Sequence, residues 1–136
     1  MPCHRPVPAF LAVLAIVASC ASPEPPRADH VHRFTTTVTV TDGAILPAAD
    51  FTIPAFSSVV WRNRGSAPLE VTIQAASCGT CETVLGFQPQ PQGVRSVAIQ
   101  PGAVASICFH TVGKFPFAAK VGDREQRGAI TVAEAP

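Results

Sequence analysis

The sequence predicts an all-β sandwich, and two observations on residues 96–132 carry this prediction. Apolar residues stand at every second position from Ala105 to Phe109, which is the period of a half-buried strand. Glycine-containing turns, Pro101-Gly102 before this strand and Val112-Gly113 after it, divide the segment into short pieces. Short strands separated by turns at such spacing are typical of β-sandwiches.

The first 19 residues have the features of a signal peptide. A short basic front precedes an apolar run over residues 9–18, which is too short for a bilayer span of about 20 residues. The sequence Val17-Ala18-Ser19-Cys20 then resembles a bacterial lipobox, so we expect Cys20 to be lipidated and to begin the mature chain. Several acyl chains on Cys20 would hold the protein to a membrane of the cell envelope, with its domain facing the periplasm or the exterior. The alternative is an ordinary secretory signal that is cut nearby.

Residues 20–32 are predicted to be a flexible tether, because they are rich in proline and small polar residues and show no apolar period. His30 and His32 stand two residues apart within it. Such a pair either offers two nitrogens to a cupric ion or is simply solvated.

The remaining residues, 33–136, are enough for one domain that buries roughly two-thirds of its extended-chain surface. Residues 33–42 are rich in threonine and alternate in polarity, so they are predicted to form the first strand. Residues 88–93 are polar and contain proline, and we expect them to be a loop that crosses between sheets. Removing the signal peptide takes one of the ten basic residues and none of the nine acidic ones, so the mature chain has a formal charge of zero. This balance gives no electrostatic case for binding nucleic acid.

The C-terminal half resembles the cupredoxins, the small copper proteins that include plastocyanin. The resemblance rests on the Pro-Gly turn and strand described above, on the pair Phe115-x-Phe117, and on the closing strand from Gly128 to Val132. Upstream, residues 49–63 resemble the family's Val-x-Trp strand, which is followed by asparagine. The resemblance implies a Greek-key sandwich of about seven or eight strands over residues 33–134, with Trp61 and the two phenylalanines in the core.

The family's copper ligands are missing from this resemblance. Counting from the aromatic pair, the family's cysteine, histidine and methionine fall on Ala119, Gly122 and Gln126. Leu69 and Glu70 occupy the place of the first histidine, at the start of a strand expected over residues 69–75. An apolar side chain and a carboxylate cannot replace imidazole in a site built for soft donors. We therefore expect no blue-copper electron carrier, and a solvated loop of mixed charge over residues 123–127.

A second group of metal-binding residue types is expected at the opposite end of the domain. Cys78 and Cys81 follow the strand over residues 69–75, and Cys108 and His110 should point off the face opposite to the core. Three thiols and an imidazole suit Cu(I) or a tetrahedral zinc ion. The alternatives for the cysteines are a disulfide, which the oxidising envelope favours, or a redox-active pair.

Enzyme activity is not expected, because no catalytic triad, phosphate-binding glycine loop or pair of catalytic carboxylates is recognisable. Glu82 stands where a haem-attachment motif requires histidine. Three hypotheses remain open. The first is an envelope protein that binds a metal, with copper favoured, through the cysteine group. The second is a metal-free interaction module held by a disulfide, with a partner in the envelope, and the third is a thiol-disulfide partner.

Overall fold

A computed structural model describes residues 34–74 and 85–136, which form strands, turns and connecting loops. The predicted signal peptide (1–19), Cys20, the tether (20–32) and the pair Cys78 and Cys81 lie outside the described residues. Within the described ranges, no helix has the length and apolarity needed to cross a bilayer.

The described residues contain ten strands. They are β1 Phe34–Val40, β2 Ile45–Leu46, β3 Asp50–Pro54, β4 Ser57–Asn63, β5 Leu69–Gln74, β6 Phe87–Gln90, β7 Gly93–Ser96, β8 Val104–Phe109, β9 Gly113–Val121 and β10 Arg124–Ala133. The count exceeds the expected seven or eight because short pieces such as the two-residue β2 add to the longer strands. The prediction of an all-β, cupredoxin-like sandwich is confirmed.

The strands form two mixed sheets. The first has four strands in the order β2-β1-β4-β8, and the second has six in the order β3-β10-β9-β5-β7-β6. Each sheet contains one parallel pair, β1 with β4 and β3 with β10, and otherwise the neighbouring strands are antiparallel. The chain passes between the sheets from β2 to β3, β3 to β4, β4 to β5, β7 to β8 and β8 to β9, and alternate residues of the longer strands face the shared core.

The core is centred on aromatic pairs. Trp61 of β4 is fully buried and meets Phe117 of β9 edge-on, with ring centroids 4.9 Å apart. Phe109 of β8 meets Phe115 of β9 at 5.2 Å. Because β4 and β8 belong to one sheet and β9 to the other, both pairs connect the two layers. The expected burial of Trp61 and of the two phenylalanines is confirmed.

Two segments predicted as loops are strands. Residues 88–93 do not cross between sheets, because they lie in a hairpin in which β6 pairs with β7 in the six-stranded sheet. Residues 123–127 are not a solvated loop, since residues 124–127 begin β10 and pair in register with β9. In both segments the side chains are largely exposed, so the sequence lacks the apolar alternation by which a half-buried strand is recognised.

Gly128 occupies a point where two neighbouring backbones come too close for any side chain. A Cβ atom there would overlap the carbonyl oxygen of Ala49 and would lie 2.8 Å from the Phe117 ring. Ala129 donates a backbone hydrogen bond of 3.2 Å to the same carbonyl, which holds the two segments together.

We predict that Gly128→Ala lowers the free energy of unfolding by about 2–3 kcal/mol, because the added methyl group forces the Ala49 segment away from β10. Urea denaturation followed by tryptophan fluorescence measures the change. Gly43→Ala is the matched control, since a Cβ there meets no atom within 4 Å. Equal stability of the two variants would contradict this account of Gly128.

Candidate functional site

Apolar side chains fill the end of the sandwich where the family resemblance implies copper. Leu69 begins β5 and is the register partner of Val121, the last residue of β9. Leu69 and Ala119 are fully buried, and Val121 is 3% exposed. We call this region the Leu69 end.

A tight hairpin replaces the loop that bears three of the family's ligands. Val121 pairs directly with Arg124, which leaves only Gly122 and Asp123 in the turn. Gly122 has a φ of +58°, and glycine at the first central position is typical of the type II′ hairpin turn. Gln126, two residues into β10 from Arg124, is part of the same regular ribbon. The connection between β9 and β10 therefore contains no loop that could gather ligands around an ion.

The loop over residues 64–68 covers the Leu69 end. A Cβ on Gly65 would lie 2.8 Å from the Val121 side chain, so the backbone of this loop rests on that side chain. The backbone N–H of Ser66 donates a 2.8 Å hydrogen bond to Asp42 Oδ1 and lowers the pKa of that carboxyl. Because the pKa is lowered in the folded state, this contact stabilises the fold above the ordinary carboxyl pKa and is lost as the pH falls.

Asn63 is fully buried next to this loop and connects three segments. Its Nδ2 donates to the carbonyl oxygens of Ala67 at 2.9 Å and Ile99 at 2.8 Å, and its Oδ1 accepts from the N–H of Gly65 at 2.8 Å. Both N–H groups and the carbonyl of the amide are therefore engaged. A buried polar group satisfied in this way fixes the loop conformation.

Glu70, the other residue at the family's first histidine position, takes part in an ion pair. Arg95 Nη2 lies 2.6 Å from Glu70 Oε1, and this hydrogen bond raises the pKa of the arginine. The pair is exposed, and Glu70 lies beside Lys120 of β9. The carboxylate is thus held on the outer surface by Arg95 and does not face the Leu69 end.

Cys108 lies near the opposite end of the sandwich. Its register partner is Ser58, near the start of β4, whereas Asn63 at the other end of β4 borders the Leu69 end. Ile107 and Phe109 belong to the core cluster, so Cys108 between them faces outward. Cys108 is nevertheless fully buried, and its sulfur is in a disulfide. We call this region the Cys108 end.

His110 follows two residues after Cys108, just beyond β8, and is half-buried. Its ring lies 6.1 Å from the ring of Phe56, and the two planes are inclined by 51°. The imidazole is therefore packed against an aromatic neighbour at the Cys108 end.

The cysteines at 20, 78 and 81 and the histidines at 30 and 32 lie outside the described residues. Among residues 34–74 and 85–136, no three His, Cys, Asp or Glu side chains are grouped closely enough to hold a metal ion. Since the thiolate is the metal ligand and a disulfide sulfur is not one, Cys108 becomes a ligand only after reduction. The four-residue site of Cys78, Cys81, Cys108 and His110 stays a prediction for the reduced protein.

Comparison with known proteins identifies the fold. No family model and no curated protein matches the chain. Auracyanin B superimposes with a TM-score of 0.52 and 14% identity, over 76% of this chain and 91% of that chain. The Cu(I) form of the M98A mutant of amicyanin has a TM-score of 0.51 and 13% sequence identity, and the match covers 73% of this chain and 82% of that chain. Amicyanin from Paracoccus versutus has a TM-score of 0.50 and 16% sequence identity, and the match covers 73% of this chain and 81% of that chain.

The domain is cupredoxin-like. At these identities the likeness establishes the fold, so the copper site has to be judged from the residues present. None of the residues at the family's ligand positions carries a thiolate or an imidazole, the donors that a blue-copper site requires. Leu69 and Ala119 are buried among apolar side chains, and Glu70 is paired with Arg95. The cupredoxin-like domain does not fit copper at this position.

The sequence prediction overlooked two arginines at the Leu69 end. Arg62 and Arg64 follow Trp61, are both exposed, and line a cleft of about 350 Å³. Their spacing of two is a signal that they share one side of a strand. The sequence does not reveal that the turn containing Gly102 returns beside them to complete the cleft.

We predict that the oxidised cupredoxin-like domain develops no intense visible absorption when Cu(II) is added, because Ala119 leaves no thiolate at the family position. Visible and electron paramagnetic resonance spectra recorded during the titration measure this outcome. A parallel titration with EDTA present gives the baseline. A strong blue colour that EDTA suppresses would show that the site has been misassigned.

Proposed function

We propose that this chain is a lipid-anchored, non-enzymatic interaction module of the bacterial cell envelope, with a cupredoxin-like frame and no electron-transfer site. The apolar filling at Leu69, Ala119 and Val121 carries the proposal. An electron carrier needs a redox centre, and the family's centre depends on a thiolate that is absent from these positions. What the fold offers instead is a rigid sandwich whose outer surface is free to contact a partner.

The disulfide of Cys108 supports a structural role for the cysteines, and we propose Cys81 as its partner. Leu85 forms a β-bridge with Ser106 through hydrogen bonds of 2.9 and 3.0 Å, so the chain reaches β8 four residues after Cys81. Cys78 lies three residues further from this bridge. A cross-link between residues 81 and 108 would constrain the unfolded chain by roughly 3.5 kcal/mol.

The topology fits attachment to a membrane through lipidated Cys20. Strand β1 begins at Phe34, whose register partner is Ser57, so the proposed tether joins the domain at the Cys108 end. Six residue steps along β4 separate Ser57 from Asn63, which is about 20 Å at the usual rise of a strand. The Leu69 end thus lies on the side of the domain away from the attachment point, where it would face proteins in the periplasm or the exterior.

Replacement of the proposed lipidation site tests the anchor. We predict that Cys20→Ala moves the protein from the membrane fraction to the soluble fraction of the envelope, because the acyl chains supply the attachment. Immunoblots of fractionated cells measure the distribution, and Cys3→Ala is the control that should stay with the membranes. Membrane association of the Cys20→Ala variant would contradict the anchor.

A second candidate function is binding of Cu(I) or zinc by the reduced protein. It is favoured by one observation, that Cys108 and His110 stand two residues apart at the same end of the domain. Reduction would release two thiols, and Cys78, Cys81, Cys108 and His110 would form a soft donor set. A redox-active pair, exchanging its disulfide with a partner protein, uses the same sulfurs.

Thiol and metal titrations separate these functions. With Cys20 lipidated and the signal peptide removed, the oxidised protein should contain one free thiol, because one pair among its three remaining cysteines is bonded. Cys78→Ser should then have none, and Cys81→Ser should have two, if Cys108 is joined to Cys81. Denaturation followed by reaction with a thiol reagent gives these counts.

Elemental analysis of the same samples addresses the metal. The interaction module predicts no stoichiometric Cu(I) or zinc on the oxidised protein after desalting. Uptake of one equivalent by the reduced protein, lost in Cys108→Ser and weakened in His110→Ala, would establish the second candidate. Rapid reduction of the disulfide by a thioredoxin-like protein would instead favour the redox-active pair.

A further inference from the structure

We propose that Arg62 and Arg64 bind clustered carboxylates on an acidic segment of a partner protein; this inference rests on the proposed role as an interaction module. The two side chains border a cleft of about 350 Å³ at the Leu69 end. The lining residues are Arg62, Asn63, Arg64, Gly65, Gly102 and Val104.

The backbone of this cleft is fixed. The N–H of Arg64 donates to the carbonyl of Val40 at 2.8 Å, and the N–H of Gly102 donates to the carbonyl of Asn63, also at 2.8 Å. Both amide N–H groups and the carbonyl of the Asn63 side chain are hydrogen-bonded, as described above. The two guanidinium groups are thus carried by a rigid base, which lowers the entropy lost when a ligand is bound.

The positive charge of the two arginines is not neutralised by a neighbouring carboxylate. The ion pairs present among residues 34–74 and 85–136 are Arg95 with Glu70 and Arg127 with Glu125, and neither Arg62 nor Arg64 takes part in one. Asp42, which belongs to the same end, accepts a hydrogen bond from Ser66 and is under the influence of Arg124.

On the sheet face next to the cleft, the described outward residues carry no negative charge. Arg62 projects from the outer face of the four-stranded sheet between its register partners Thr39 and Val104. The exposed or half-buried outward positions of β1, β4 and β8 otherwise hold uncharged residues: Thr35, Thr37, Thr39, Ser58, Val60, Val104 and Ser106. Within the described residues the field at this face is therefore of one sign, and such a field attracts and orients an anionic partner.

The cleft is accessible to the main chain of a partner. A Cβ on Gly102 would meet no atom within 4 Å, so nothing overhangs this rim. Because glycine carries no side chain, an extended segment can approach the backbone here while its side chains reach the arginines on either side.

The number and kind of cations decide the ligand class. Guanidinium forks match carboxylates in a bidentate geometry, but a single exposed ion pair contributes only about 0–1 kcal/mol. One small carboxylate would therefore bind weakly, whereas a segment with several would gain from both arginines at once. Nucleic-acid binding depends on neutralising many phosphates at once, and two arginines supply few such contacts.

The experiment uses the detergent-solubilised full-length protein and a fluorescent decapeptide of glutamate as the probe, with binding followed by fluorescence anisotropy. Arg62→Gln/Arg64→Gln should weaken binding about tenfold, as expected for two exposed ion pairs lost together. Lys114→Gln/Lys120→Gln is the matched control, because it removes the same charge at two exposed positions that form no ion pair within the described residues, and it should change binding less than twofold. Exposed substitutions of this kind leave folding nearly unchanged, which thermal denaturation checks.

Equal weakening in the two double variants would mean that only net charge matters, and would overturn the site. Binding of inorganic phosphate that competes with the peptide at equal concentration would overturn the ligand class. A reversed variant, Arg62→Glu/Arg64→Glu, should bind a decapeptide of lysine instead, and failure to do so would also count against the site. None of these outcomes depends on the copper or membrane experiments, so failure of the proposed function is seen separately.

Discussion

The edge-on contact between Trp61 and Phe117 is the interaction on which the rest of the structure depends. It joins the central strand β4 of one sheet to the central strand β9 of the other, with ring centroids 4.9 Å apart. Once Trp61 faces inward, the two-residue period of β4 directs Val59 and Asn63 inward and Arg62 outward. One buried aromatic residue therefore sets both the position of the asparagine that fixes the Leu69 end and the side on which the arginines emerge.

This dependence explains how a cupredoxin-like frame persists without the family's metal. The frame is held by inter-sheet aromatic contacts and by regular strand pairing, neither of which involves the ligand positions. At the Leu69 end, Leu69 and Val121 supply apolar burial where an ion would supply coordination. The Gly122 turn shortens the connection, and fold and site are therefore separable in this chain.

The sequence predicted those features that have a local pattern. Alternation identified β1 and β8, and the aromatic pair at 115 and 117 was expected in the core and lies there. The start of β10 was missed because its side chains are exposed on both faces, so no apolar period marks it, and only the Gly122-Asp123 turn indicates the hairpin. The arginine cleft was missed for a different reason, since it joins residues about 40 positions apart through a turn whose location only the fold defines.

The topology places different chemical groups at the two ends of the sandwich. Phe34 at the start of β1, the disulfide at Cys108 and the His110 ring beside Phe56 all lie at one end, because β1 and β4 are parallel and β8 runs opposite to both. The guanidinium groups of Arg62 and Arg64, which form no ion pair within the described residues, lie at the other end, about 20 Å away along β4. A tether of the kind proposed above would leave the other end the most accessible part of the domain. Exposed arginines in place of metal donors at that end are consistent with the proposed docking role and supply no redox centre.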